Sequence, residues 1–216
     1  MNILNKYFSK IYVISSYASQ NRLYDLLSFF EKEQIEFELV IGPKKKYFKQ
    51  DYTKTNNTEG VQSCISAIES ILLKESFLKS ETFCIMEDDV FFDDAYQSKL
   101  TNFFDKLPND WDILNLGYHE YTSLKIDTGL LYYKIDKSER ICGSHIVAFK
   151  PNTVNLLMNA IENCIFPMDW FLNDDIYPHF NTYVCTEIMF YGASYRENEN
   201  NKHLFYKKYE TAIKAL

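Results

Sequence analysis

Little in this chain could serve as a linker, a disulfide framework or a membrane anchor. Of its 216 residues only 6 are Gly and 5 are Pro, which excludes collagen-like and low-complexity organisation. The five Cys (64, 84, 142, 164 and 185) are odd in number, widely spaced and form no C-x-x-C pair. Neither a disulfide scaffold nor a structural zinc site is expected, and reduced thiols point to a cytosol-like compartment. No apolar run approaches the ~18–20 residues of a membrane span. The first residues, MNILNKYFSKIYVISS, lack the apolar core and small-residue stop of a secretory signal. The expected location is therefore cytoplasmic, with no membrane span. Basic residues are also in short supply, 23 Lys plus Arg against 30 Asp plus Glu, for a formal charge of −7. That is the wrong sign for a protein that gains affinity by neutralising phosphate backbones, so no nucleic-acid partner is expected.

Several catalytic signatures are missing as well. The chain has no G-x-x-x-x-G-K-[ST] phosphate loop, no G-x-G-x-x-G, no H-E-x-x-H and no G-x-S-x-G elbow, which argues against ATPase, dinucleotide-oxidoreductase, zinc-hydrolase and serine-hydrolase readings. An EF-hand fails too, because Val90, Phe91 and Phe92 stand where oxygen ligands and a Gly are needed.

What remains is a globular composition, 46% hydrophobic and 17% aromatic, far from the profile of disorder. Short apolar runs alternate with amphipathic stretches. Ile11–Ile14 reads as a buried strand. Arg22–Glu33 carries Leu23, Leu26, Leu27 and Phe30 on one helix face, and Phe37–Ile41 is a second strand stopped by Gly42-Pro43. Polar residues 43–59, with Lys44-Lys45-Lys46, read as a loop. A second helix starts at Gly60, with Val61, Cys64, Ile65, Ile68, Ile71 and Leu72 as its buried stripe. Glu81–Met86, Asp112–Leu116, Leu130–Ile135 and His145–Phe149 read as strands, and Ala95–Leu107 and Val154–Ile161 as helices. Strand–helix alternation in the first half implies βαβ units. The expected fold class is α/β, with a mostly parallel central sheet flanked by helices.

The segment FCIMEDDVFFDD (Phe83–Asp94) is the most informative. An apolar strand ends abruptly in Glu87-Asp88-Asp89, and ligands in open α/β sheets bind beyond the carboxyl ends of strands. Side-chain alternation puts Glu87 and Asp89 on one side and Asp88 on the other. Carboxylates gathered together repel unless a cation compensates, and hard oxygen ligands suit Mg2+ or Mn2+. A solvated acidic turn capping the next helix is the bland alternative.

In order and spacing, these segments resemble a GT-A (Rossmann-like) glycosyltransferase, most closely the family 25 type associated with lipopolysaccharide and collagen glycosylation. The resemblance is carried by IYVISSYASQNRL with Arg22, FELVIG ending at Gly42, Gly60 with Cys64 as a Gly-x-x-x-Cys helix start, CIMEDDV, WDILNLG (Trp111–Gly117), CGSHIVAF and PMDWFL. It spans roughly residues 10 to 195. Two departures stand out. Ala67-Ile68 replace the usual Ser-His pair, and His145-Ile146 replace the usual Tyr, so the sugar and the acceptor are not carried over.

The resemblance implies one GT-A-like catalytic domain over 1–216, with a nucleotide-sugar and metal half (1–117) and an acceptor-side half (118–216). It implies transfer of a sugar from a nucleotide-diphosphate donor, a UDP-sugar foremost, to a glycan or glycoconjugate acceptor with Mn2+ (or Mg2+). Asp89 is then the direct metal ligand, with Glu87 contacting the ion, its waters or the ribose. Asp88 orients the sugar, and Ser15, Ser16 and Arg22 lie on the donor side. Asp169, next to Trp170, is the candidate base, with an ordinary helix N-cap as the competing explanation. Asp174 and Asp175 are further options. The last metal ligand is left open among His145, His179 and His203. A catalytically silent carbohydrate-binding or scaffold domain and a metal-dependent phosphoesterase are the rival functions.

Overall fold

The computed structural model describes residues 1–16, 20–44, 59–118, 130–136, 139–162, 164, 167–187 and 189–192. A short helix α1 (Ile3–Tyr7) opens the chain, capped by the Asn2 side chain accepting the Leu4 N–H at 2.9 Å. Five residues are too few to show helical periodicity, so this element was not expected. The run around Val13 forms β1 (Lys10–Ser16), followed by α2 (Gln20–Glu33), β2 (Glu38–Gly42), α3 (Glu59–Leu78) and β3 (Phe83–Glu87). Then come β4 (Val90–Phe92), α4 (Tyr96–Lys106), β5 (Ile113–Gly117), β6 (Tyr132–Lys134) and β7 (Ile146–Phe149). Helix α5 (Val154–Ile161) matches its expected bounds. A compound helical segment follows: α6 (Met168–Phe171), a π-helical turn at Leu172–Ile176 and a 3₁₀ turn at Tyr177–His179. Strands β8 (Thr182–Cys185) and β9 (Phe190–Gly192) complete the described part.

Seven strands form one sheet in the order β2-β1-β3-β7-β5-β8-β6, and β4 pairs with β9 in a separate two-stranded sheet. Strands β2, β1, β3, β5 and β8 share one direction, while β7 and β6 run against them. The sheet is thus mostly parallel, as expected. Alternate side chains feed two cores. Tyr12, Ile14, Phe83 and Ile85 pack with Ile68 and Leu72 of α3 and Leu157 of α5. Ile11, Val13, Cys84 and Met86 pack with Leu26 and Phe30 of α2 and Leu100 and Phe103 of α4. Burial on both faces is why these strands read as continuous apolar runs rather than alternating ones.

Away from the strand ends, an acidic side chain also lies inside the fold. Glu75 of α3 is only 1% exposed and is satisfied by the Tyr12 hydroxyl at 2.5 Å and the Ser80 N–H at 3.2 Å. From β1 the chain travels outward to β2 by way of α2, then returns over the opposite face through α3 to β3 on the other side of β1. Connections that leave a strand in opposite directions open a crevice at its carboxyl end, and the candidate site lies there.

Candidate active site

A cavity of about 310 Å³ opens at the carboxyl ends of β1 and β3. Its walls are Ser15 and Ser16 at the end of β1, Glu87, Asp88 and Asp89 after β3, Gly60, Val61 and Cys64 at the start of α3, Gly143–His145, and Pro167–Asp169. Five residues singled out from sequence, Ser15, Ser16, Glu87, Asp88 and Asp89, therefore share one cavity with Asp169.

The strand stops at Glu87 because Asp88 and Asp89 enter a turn before β4. Glu87 and Asp89 nonetheless converge. One ligand atom from each of Glu87, Asp89 and His145 lies within 4.8 Å of the others. Asp88 turns the other way and accepts the Ser15 hydroxyl at 2.5 Å, both residues being buried. This pairing satisfies Asp88 inside the protein, so the acidic segment is not a simple solvated turn.

His145 reaches the carboxylates through strand register. Antiparallel β7 pairs Ile146 with Met86, so the next pair along the ladder is His145 with Glu87. The Glu87 N–H donates to the His145 carbonyl at 2.9 Å, and the imidazole Nδ1 sits 2.9 Å from Glu87 Oε2. The His145 N–H is held by the Gly117 carbonyl at 2.8 Å. The ring is 2% exposed. Burial draws its pKa down, but the hydrogen bond and charge of Glu87, with Asp89 and Asp169 behind it, outweigh burial and leave it raised. The cluster thus favours positive charge at this point. Burial, followed by the charges of Glu87, Asp88 and Asp89, likewise pushes the Cys64 thiol up, so Cys64 is a neutral wall residue.

Gly192 of β9 makes room for the imidazole: a Cβ there would stand 2.1 Å from His145 Cε1. Two carboxylates and one imidazole form a donor set suited to a divalent first-row ion, and less to Ca2+, which prefers an all-oxygen shell. The residues present therefore fit a divalent metal.

Asp169 is the second residue of α6, after Pro167 at the N-cap position, so the N-cap explanation does not apply. Its Oδ2 accepts the Gly143 N–H and its Oδ1 the Trp170 N–H, each at 3.0 Å. Trp170 is 57% exposed. Asp174 and Asp175 are exposed in the π-helical turn, and Asp174 pairs with Arg140. His179 is exposed in its 3₁₀ turn and does not line the cavity. His203, Lys45 and Lys46 lie outside the described residues, as does the side chain of Arg22, whose backbone is near the start of α2.

Gly143, Ser144 and Met168 entered the sequence reading only as parts of CGSHIVAF and PMDWFL, with no site role assigned to them, and Gly192 did not enter it at all. Gly143 has φ +85°, a conformation that favours glycine, and the Cys-Gly-Ser run before a β-branched strand was the available signal. Nothing local marks Gly192 as the neighbour of His145.

No protein-family model and no curated protein sequence matches the chain. Its fold does match solved structures. One is the inositol-1-phosphate CTP transferase from T. maritima, 14% identical, with 94% of each chain covered and a TM-score of 0.53. Another is a glycosyltransferase involved in glycosylation of the major capsid of PBCV-1, 10% identical, covering 85% of this chain and 92% of that one at a TM-score of 0.50. At such identities the likeness defines the fold, an α/β architecture of the GT-A-like type, and nothing finer. Among the described residues no helix is long and apolar enough to cross a membrane.

Proposed function

We propose that this chain is a metal-dependent glycosyltransferase, moving a sugar from a nucleotide-diphosphate donor, a UDP-sugar foremost, to a glycan or glycoconjugate acceptor. The observation that carries this reading is the convergence of Glu87, Asp89 and His145 at the crevice of a GT-A-like sheet. The family 25 resemblance of the sequence supports the same assignment. Asp89 and Glu87 hold Mn2+ or Mg2+, with His145 as the third ligand. When bound, the ion acts as a Lewis acid on the leaving diphosphate and lets a protein of negative net charge accept an anionic donor.

The chain's own residues do the rest. Ser15 and Ser16 line the donor side of the cavity, and Arg22 is assigned to the same side by the sequence resemblance. Asp88, held by Ser15, keeps the turn after β3 in the shape that aims Glu87 and Asp89 into the cavity. Asp169 serves as base for an acceptor hydroxyl. Each carboxylate oxygen has two lone pairs, so Oδ1 and Oδ2 retain capacity beyond the two backbone N–H groups they already accept. Those two bonds fix the carboxylate's orientation, as general-base catalysis requires. In this reading residues 1–117 form the nucleotide-sugar and metal half of one catalytic domain, and residues 118–216 its acceptor-side half.

The test is titration of UDP-, GDP- and TDP-sugars with Mn2+, for the native protein and for Asp89→Ala. Metal-dependent donor binding that Asp89→Ala abolishes supports the proposal. Absence of binding, or equal binding by the variant, refutes it. The likeness to a CTP transferase favours one second reading, nucleotidyl transfer, which predicts pyrophosphate release from a nucleoside triphosphate and no sugar transfer.

A further inference from the structure

Among the side chains that tie the strap carrying His145 to the helical segment carrying Asp169, Asn173 makes the most bonds. Asn173, 8% exposed in the π-helical turn, accepts the Ile141 N–H on Oδ1 at 2.8 Å. Its Nδ2 donates to the Ile141 carbonyl and to the Asp169 carbonyl, each at 2.6 Å. A carboxamide has two donor hydrogens and one oxygen, so both N–H groups and the oxygen are engaged at once. A flipped amide would set its oxygen against two carbonyls, so the partners fix the orientation.

Two residues further along the strap, the Gly143 N–H is bound by Asp169 Oδ2. On the sheet side, Asn115 Nδ2 reaches the Gly143 carbonyl at 3.3 Å and the Tyr177 hydroxyl at 3.2 Å. The strap then enters β7 at His145. Asn173 stands four positions after Asp169, the spacing that sets two residues on one helical face, and from there its side chain reaches both the Asp169 carbonyl and the strap.

We infer that Asn173 is a positioning residue that locks the His145 strap to α6, so that the metal-binding cluster and the Asp169 carboxylate keep a fixed separation. Residues that hold ligands from behind change metal affinity by about 10–100-fold when removed. Asn173 acts through the backbone of Ile141 and belongs at the lower end of that range. The inference rests on the glycosyltransferase reading only in giving the cluster a metal and Asp169 a chemical role.

The experiment measures Mn2+ affinity by the electron paramagnetic resonance signal of free Mn2+, without any sugar donor, for native protein and Asn173→Ala. Samples are held well below the unfolding midpoint and checked by circular dichroism. About tenfold weaker Mn2+ binding by folded Asn173→Ala is expected, and equal affinity overturns the inference. Should the native protein bind no Mn2+, the proposed function fails instead, so the two failures are distinct.

A second measurement needs no variant: amide hydrogen exchange of the native protein with and without Mn2+. If the strap is tied to the cluster, the Ile141 and Gly143 amides exchange more slowly when Mn2+ binds. Unchanged exchange at both, with Mn2+ bound, overturns the inference even if Asn173→Ala does not fold.

Discussion

Gly192→Ala offers the sharpest test of how the site is packed. A Cβ at Gly192 would lie 2.1 Å from His145 Cε1 and 2.4 Å from both ring nitrogens. Carbon contacts settle near ~3.5 Å, so the imidazole or strand β9 must retreat by more than about 1 Å. Strand β9 is poorly placed to move, because Gly192 pairs with Val90 and Phe190 is fully buried. A ring that retreats stretches its 2.9 Å contact with Glu87 past the ~3.5 Å beyond which a hydrogen bond is no longer made.

Overpacking a filled core costs about 1–3 kcal/mol, and a hydrogen bond to a charged partner is worth about 1.5–3 kcal/mol. The terms overlap, so the expected destabilisation is about 2–4 kcal/mol. Moving one of three ligands should also weaken Mn2+ by at least about tenfold, the equivalent of about 1.4 kcal/mol. Urea denaturation reads the first quantity, and a Mn2+ titration of the folded variant reads the second.

Two other glycines calibrate the result. At Gly117 a Cβ would meet its nearest atoms at 3.1–3.3 Å, so Gly117→Ala should cost about 1 kcal/mol. At Gly42 a Cβ would fall 2.2 Å from the Ser63 carbonyl oxygen. Gly42→Ala should therefore be as destabilising as Gly192→Ala while leaving Mn2+ affinity nearly intact. If Gly192→Ala keeps native stability and native Mn2+ affinity, the packing argument is wrong. If Gly42→Ala loses metal equally, loss of binding reports general destabilisation and not displacement of His145.

Two further predictions concern the core. Tyr12→Phe removes the hydroxyl that donates to buried Glu75 at 2.5 Å and should cost about 1.5–3 kcal/mol. Tm should fall by roughly 2–4 °C for each kcal/mol in a chain of this size, and an unchanged Tm would mean that Glu75 does not depend on this donor. Burial pushes the Tyr118 phenol up to about 12, and its hydroxyl donates to the Cys185 carbonyl at 2.9 Å. The unfolded phenol ionises first, near the ordinary value of about 10. The preference of the fold for the neutral phenol is harmless below that pH, and stability is lost as pH rises from there toward the folded value. Tyr118→Phe should accordingly soften the alkaline loss of stability between these limits. An identical slope in denaturation midpoints against pH would refute the assignment.

The parts of the fold that could be read from sequence are those whose pattern is local. Strands β1, β3 and β5 show as short apolar runs because both of their faces are buried, and α3 shows its stripe over about three turns. Strands β4, β8 and β9, of three or four residues, gain their stability from pairing partners and core aromatics such as Phe190. So short a window is not distinctive by itself, and β6 and β7, equally short, were legible because they sit within the longer runs Leu130–Ile135 and His145–Phe149. The compound helix from Met168 to His179 was hidden for another reason. Its start is set by Pro167, and its π-helical turn is held by Asn173 reaching Ile141, 32 residues away in sequence.

The site divides along the same line. Glu87, Asp88 and Asp89 are consecutive, so alternation alone forecast that two converge and one diverges. His145 is 58 residues from Glu87, and its arrival depends on the direction of a single strand. Because β7 runs against β3, the start of one strand abuts the end of the other, and the Ile146–Met86 pair delivers His145 to Glu87. Were β7 parallel to β3, His145 would stand at the opposite end of its four residues, about 13 Å away at ~3.3 Å per residue. A parallel-sheet expectation drawn from βαβ alternation therefore leads away from His145, and the antiparallel insertion of β7 is what turns an acidic strand end into a mixed carboxylate–imidazole cluster.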